Sequence, residues 1–310
     1  MRHAVSLEVL SLLLAVAVAE WGSGLVVQAS ASAKPVKITA VGAENEYANV
    51  IGQIGGRYVT VAAVMSNPNT DPHTFEASPR VAQMVSGAEL VVQNGLGYDS
   101  FMNKIEAASP SRRRKVIEVQ DLLHLPSTTQ NPHLWYKPTT MPAVAKAVTA
   151  DLRMLEPAHA AYFQTRARKF DNSLTPWHQT IAQIKASFPQ AAVATTEPVG
   201  DYLLQAVRAD NRTPWTLQAD IMNGVDPAPQ DVSFQDDLFR QHKVEVFLYN
   251  QQVTDSLTAS FLALAKHYGI PVVAVYETMP SPGYDYQTWM MAEAKALDRA
   301  LAHKRSTTRL

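Results

Sequence analysis

The chain has 310 residues, with 27 Lys plus Arg against 28 Asp plus Glu, a formal net charge of -1 and no cysteine. That charge balance argues against an electrostatic nucleic-acid binder. The missing thiols exclude a disulfide framework, a thiolate metal site and a lipid-bearing cysteine at a cleavage point.

Residues 1–33 open with Arg2 and His3, run apolar from Val9 to Ala19, and end in Gln28-Ala29-Ser30-Ala31-Ser32-Ala33. This is the layout of a secretory signal peptide, with Ala-x-Ala cleavage sites after Ala31 or Ala33. The apolar run is too short, and Glu20 too near, for a membrane span. An uncleaved anchor is the alternative, kept open by Glu8 and by the long gap to the cleavage site. The mature chain is expected to be a soluble export product, periplasmic or otherwise extracytoplasmic. At roughly 275 residues it has room for two lobes.

From residue 34 to 138 the pattern alternates β and α. Strands are expected at 36–41, 58–64, 90–94 and 116–119, and helices at 46–54, from Pro79 and from about Tyr98. The sequence Asn69-Thr70-Asp71-Pro72-His73-Thr74-Phe75-Glu76-Ala77-Ser78-Pro79 follows the second strand and ends in a helix-start signal. His73 should therefore lie in a loop at a strand's carboxyl end, where open α/β sheets bind ligands. Asn131-Pro132-His133-Leu134-Trp135 repeats the arrangement, with His after Pro and two residues before an aromatic.

Residues 139–188 carry almost no glycine and no strand signal. Tyr162, Arg166, Phe170, Leu174, Trp177, Ile181, Ile184 and Phe188 keep one face over many turns, as a long rigid connecting helix would; some 30 residues of helix span roughly 45 Å. Glu156-Pro157 reads as a restart and Pro176 as a kink.

Residues 189–310 return to the α/β pattern. Strands are expected at 191–195, 244–249 and 271–275. Helices are expected at 200–209, from a Ser233 cap to about His242, at 257–268 and at 286–302. Glu197 and Glu277 each stand just beyond an apolar strand. Buried carboxylates are costly unless paired or bound to a cation. His73 and His133 from one lobe with Glu197 and Glu277 from the other form a mixed imidazole and carboxylate set that suits zinc, manganese or ferrous iron. Glu44 and Asn250, also at strand ends, could orient these ligands from behind.

At these residues the chain resembles the metal-specific solute-binding proteins of zinc and manganese ABC importers. Asp71 to Glu76 with Ser78-Pro79 is similar to the family's first-ligand motif, Leu90 to Gly97 to its strand and turn, and Asn131 to Trp135 to its second-ligand motif. The resemblance implies two α/β lobes, each a mostly parallel sheet flanked by helices, joined by one rigid helix. It also implies one divalent metal, zinc or manganese, held in the cleft by His73, His133, Glu197 and Glu277, and delivery to an ABC transporter permease by a monomer. The chain departs from the family at Glu197, where histidine is usual, and at Glu277, where aspartate is usual. Two other classes are weighed beside this: a secreted metal-dependent hydrolase using the same cluster, and a binder of organic solutes. The sequence shows no His-Glu-x-x-His helix and no nucleophile elbow.

Overall fold

The computed structural model describes residues 37–69, 72–280 and 282–310; the expected signal peptide at 1–33 lies outside them. The described chain begins with strand β1 (Ile38–Glu44), which passes directly into helix α1 (Asn45–Gly55). Gly42 makes that tight passage possible, because a Cβ there would come within 2.3 Å of the Ala48 backbone nitrogen. Gly56, at φ 51°, then ends the helix in a conformation that L side chains rarely adopt.

Strand β2 (Val59–Met65) and a short 3-10 turn at Pro72–Thr74 lead to α2 (Pro79–Ser86), started as its sequence requires. The Ser78 side chain accepts the Val81 N–H, and Pro79 takes the first position. Strand β3 (Leu90–Gln93), helix α3 (Phe101–Ala108), strand β4 (Lys115–Glu118) and the single turn α4 (Val119–Leu122) complete the lobe. All pairings are parallel and the strand order is β2-β1-β3-β4.

The helical stretch that follows comes in three pieces. Helix α5 (Thr140–Leu155) stops at Glu156, whose φ of -138° and ψ of 75° leave the helical region immediately before Pro157. Helices α6 (Ala160–Ser173) and α7 (Thr175–Ser187) run end to end through Leu174, which keeps helical dihedrals. Pro176 falls in the first turn of α7, where no N–H is needed. Helices α5 and α6 pack on α1, whereas α7 packs on the second lobe, so the α6–α7 rod bridges the two.

The second lobe comprises β5 (Ala192–Thr195), α8 (Asp201–Val207), β6 (Asp210–Asn211), α9 (Trp215–Met222), α10 (Pro229–Arg240), β7 (Val246–Asn250), α11 (Ser256–His267), β8 (Val272–Val275) and α12 (Tyr286–His303). Its strand order, β6-β5-β7-β8, again all parallel, matches the first sheet. Helix α10 starts four residues before the expected Ser233 cap, with Pro229 at its first position. Helix α9 and the two-residue β6 were not expected at all. Capping boxes Asp255/Thr258 and Asp285/Thr288 begin α11 and α12.

One hydrophobic core runs through both lobes, joining Tyr47, Ile51, Trp135, Phe163, Phe170, Trp177, Tyr286 and Trp289. Burial of Phe163, Phe170, Trp177 and Ile184, at roughly 1.5–3 kcal/mol each, holds the rod against the helices of both lobes. Among the described residues no helix is long and apolar enough to cross a membrane.

Candidate metal centre

Parallel sheets with this strand order place a crevice between β1 and β3 in one lobe and between β5 and β7 in the other, at the strands' carboxyl ends. The site residues come from these ends. His73 lies in the 3-10 turn after β2, and His133 just before the turn Leu134–Tyr136. Glu197 follows β5, Asn250 is the last residue of β7, and Glu277 follows β8.

Three of them converge. Oε2 of Glu277 is 3.1 Å from Nε2 of His73 and 3.2 Å from Nε2 of His133, and one ligand atom from each residue lies within 4.8 Å of the other two. His133 and Glu277 are sealed from solvent, whereas 21% of the His73 side chain is exposed. Access is therefore from the His73 side, where a cavity of about 400 Å³ is lined by His73, Tyr98, Pro132 and Trp215. Glu197 stands outside this group of three but is tied to it. Nδ2 of Asn250 donates to Oε2 of Glu197 at 2.6 Å and to Oε1 of Glu277 at 2.7 Å.

The protonation pattern follows from the hydrogen bonds. Asn131 donates through Nδ2 to the Pro198 carbonyl, so its Oδ1 is the acceptor facing His133. That oxygen meets both the His133 backbone N–H at 2.9 Å and its Nδ1 at 2.8 Å. Nδ1 thus carries the ring proton, and Nε2 presents a lone pair to Glu277. Burial pushes the His133 pKa down, against the pull of Glu277, and keeps the ring neutral. Burial acts to raise the Glu277 carboxyl, but the facing His133 and His73 rings outweigh it and hold the group below the usual carboxylate range. A lone pair and a carboxylate oxygen at 3.2 Å repel unless a cation lies between them.

The Glu277 loop is fixed on every side. Gln252 Oε1 accepts the backbone N–H of Glu277 and of Thr278 at 2.6 and 2.7 Å. Asn45, in α1 of the other lobe, donates to the Met279 carbonyl and accepts its N–H. The Tyr136 hydroxyl donates to the Tyr276 carbonyl. Tyr98 donates to Oε2 of Glu277 at 3.0 Å, and its ring packs against His73, His133 and Trp135. Trp135 also stacks edge-on against His133, walling the cleft as its place in the motif suggests.

Glu44 is the last residue of β1. It is buried beside Asp99 and Glu46, and burial with these two neighbours raises it well above the ordinary carboxyl range. Asn45 and Gln252 belong to the strand-end groups that sequence reasoning placed near the cleft, whereas Tyr98 and Asn131 escaped it as supporting residues. Asn131 carried a signal, an Asn two residues before His133 that can bond its backbone; Tyr98 carried one in its place beyond a strand's exit turn.

The family model described as ZnuA, zinc-uptake complex component A, periplasmic, matches residues 41–300. The chain belongs to this family. Iron-binding protein YfeA of Yersinia pestis is 22% identical over 207 residues, 64% of either chain. Zinc-binding protein TroA of Treponema pallidum is 25% identical over 166 residues, 52% of this chain and 53% of TroA. The chain thus spans about half to two thirds of the length of these relatives. The solved structure of periplasmic zinc-binding TroA superposes with a TM-score of 0.72 at 17% identity, covering 87% of this chain and 99% of that one, which shows the shared two-lobed fold. The ZnuA family is a metal-binding transport family, and the hydrolase alternative finds no support in it.

Proposed function

We propose that this chain captures one divalent transition-metal ion, zinc or manganese, outside the cytoplasm and hands it to an ABC transporter permease, acting as a monomer without nucleic-acid partners. His73, His133, Glu277 and Glu197 are the proposed ligands, contributed in pairs by lobes at 34–138 and 189–310 on either side of the 139–188 helical connector. Residues 1–33 direct export, and the absence of cysteine from the chain favours a form without a lipid anchor.

The observation that carries this reading is the meeting of two imidazole nitrogens with one buried carboxylate oxygen, where the only ring proton of His133 is already given to Asn131. Such a donor set fits a borderline divalent ion and disfavours calcium and magnesium, which take oxygen ligands. Metal analysis of the purified chain should find one ion per molecule, lost in the His73→Ala/His133→Ala double variant. Stoichiometric binding that persists in the double variant would refute the assignment.

A further inference from the structure

Asn250 ends β7 at the crevice between β5 and β7, buried between two carboxylates. Each of its two amide hydrogens goes to a different one, at 2.6 Å to Glu197 and 2.7 Å to Glu277. The amide cannot be turned over. Its Oδ1 accepts the Gln252 backbone N–H at 3.0 Å, and a flip would set a carbonyl oxygen against both carboxylates. Its own N–H is held by the Thr196 hydroxyl at 3.1 Å, so the backbone is fixed as well.

The two oxygens of Glu277 are therefore sorted. Oε2 meets His73, His133 and Tyr98, while Oε1 is turned to Asn250. Two-oxygen chelation by Glu277 would require Oε1 to leave Asn250 and swing towards the imidazoles. The same amide also holds one oxygen of Glu197.

We infer that Asn250 is a specificity-determining positioning residue: by occupying one oxygen of each carboxylate it restricts Glu197 and Glu277 to single-oxygen binding. The centre it shapes has two nitrogens and two oxygens, which suits zinc. Manganese favours more oxygen ligands, which two chelating carboxylates would have supplied. The role rests on the ligand set proposed above, and it reverses the preference that four available carboxylate oxygens would suggest.

The test uses the purified mature chain, its Asn250→Leu and Asn250→Ala variants, and His133→Ala. Zinc and manganese affinities are measured by chelator competition, and Co²⁺ serves as the probe of coordination number, since four-coordinate Co²⁺ absorbs far more strongly in the visible than six-coordinate Co²⁺. The wild type is expected to give the strong four-coordinate spectrum. Both Asn250 variants should lose intensity and raise the manganese-to-zinc affinity ratio by about 10- to 100-fold, the range over which outer partners tune metal sites. A six-coordinate spectrum in the wild type overturns the role. So do folded variants that bind neither metal, or variants with the ratio and spectrum unchanged. Full metal binding by His133→Ala would instead overturn the ligand set itself.

Discussion

Replacing Asn131 by Ala removes the group that fixes the His133 tautomer. Oδ1 of Asn131 accepts two donors from His133, and Nδ2 donates to the Pro198 carbonyl beside Glu197. All three bonds are buried, and the variant leaves two donors and one acceptor unpaired. At about 1 kcal/mol for each neutral bond lost, the metal-free chain should lose roughly 2–3 kcal/mol. For a chain of this size that lowers Tm by about 4–12 °C. The His133 ring is then free to rotate or exchange tautomers, and the zinc Kd should rise by about 10- to 100-fold. The same factor appears as a smaller Tm gain on adding zinc, reduced by roughly 1.4–2.7 kcal/mol at saturating metal. Thermal unfolding with and without zinc, together with chelator competition, separates the two effects. Asn131→Asp keeps an acceptor for Nδ1 and should recover most of the affinity. If Asn131→Ala lowers the metal-free Tm but leaves the zinc Kd within about twofold of wild type, Asn131 only supports the fold and the tautomer argument fails.

Two further outcomes follow from the core. Glu293 is buried, accepts the Trp289 indole N–H at 2.7 Å, and is pushed by burial up to about 8. Its folded-state pKa lies above the unfolded value, so its contribution is fully present below the unfolded pKa of 4.5 and is lost as pH rises towards about 8. The ceiling is roughly 4–5 kcal/mol at 1.36 kcal/mol per unit. Glu293→Gln should flatten this decline in urea denaturation between about pH 5 and 9; parallel pH profiles for the two proteins would contradict it. Small-angle scattering should find nearly the same radius of gyration with and without bound metal, because the α6–α7 rod and a shared core join the lobes. A marked compaction on loading would show that the joint at Leu174 bends.

Three of the proposed ligands, His73, His133 and Glu277, converge in the structure, and local punctuation marks all four candidates. His73 and His133 each follow a proline, and Glu197 and Glu277 end apolar runs, so strand-exit reasoning placed all four on one side of their sheets. The pairings that hold them were not legible. Asn45 reaches Met279 across 234 positions and Tyr98 reaches Glu277 across 179, pairings that no local pattern encodes. Glu44 has neighbours that its strand-end position does not reveal: the tight passage at Gly42 turns the chain into α1 and leaves Glu44 beside Asp99. Ser233 misled in a simpler way. Serine is a common cap, yet Pro229 had already supplied the fixed φ that starts a helix.

A core that runs unbroken from Tyr47 to Trp289 leaves no seam along which the lobes could part unaided. Capture of an ion then buries little new apolar surface, and the heat-capacity change on loading should be small. On the proposed function, residence time should then follow the breaking of coordination bonds one after another rather than the opening of a cleft. Of the proposed ligands, His73 is the most open to solvent and the natural first to let go. If the proposed delivery is right, the receiving surface would have to compete for the ion from that side.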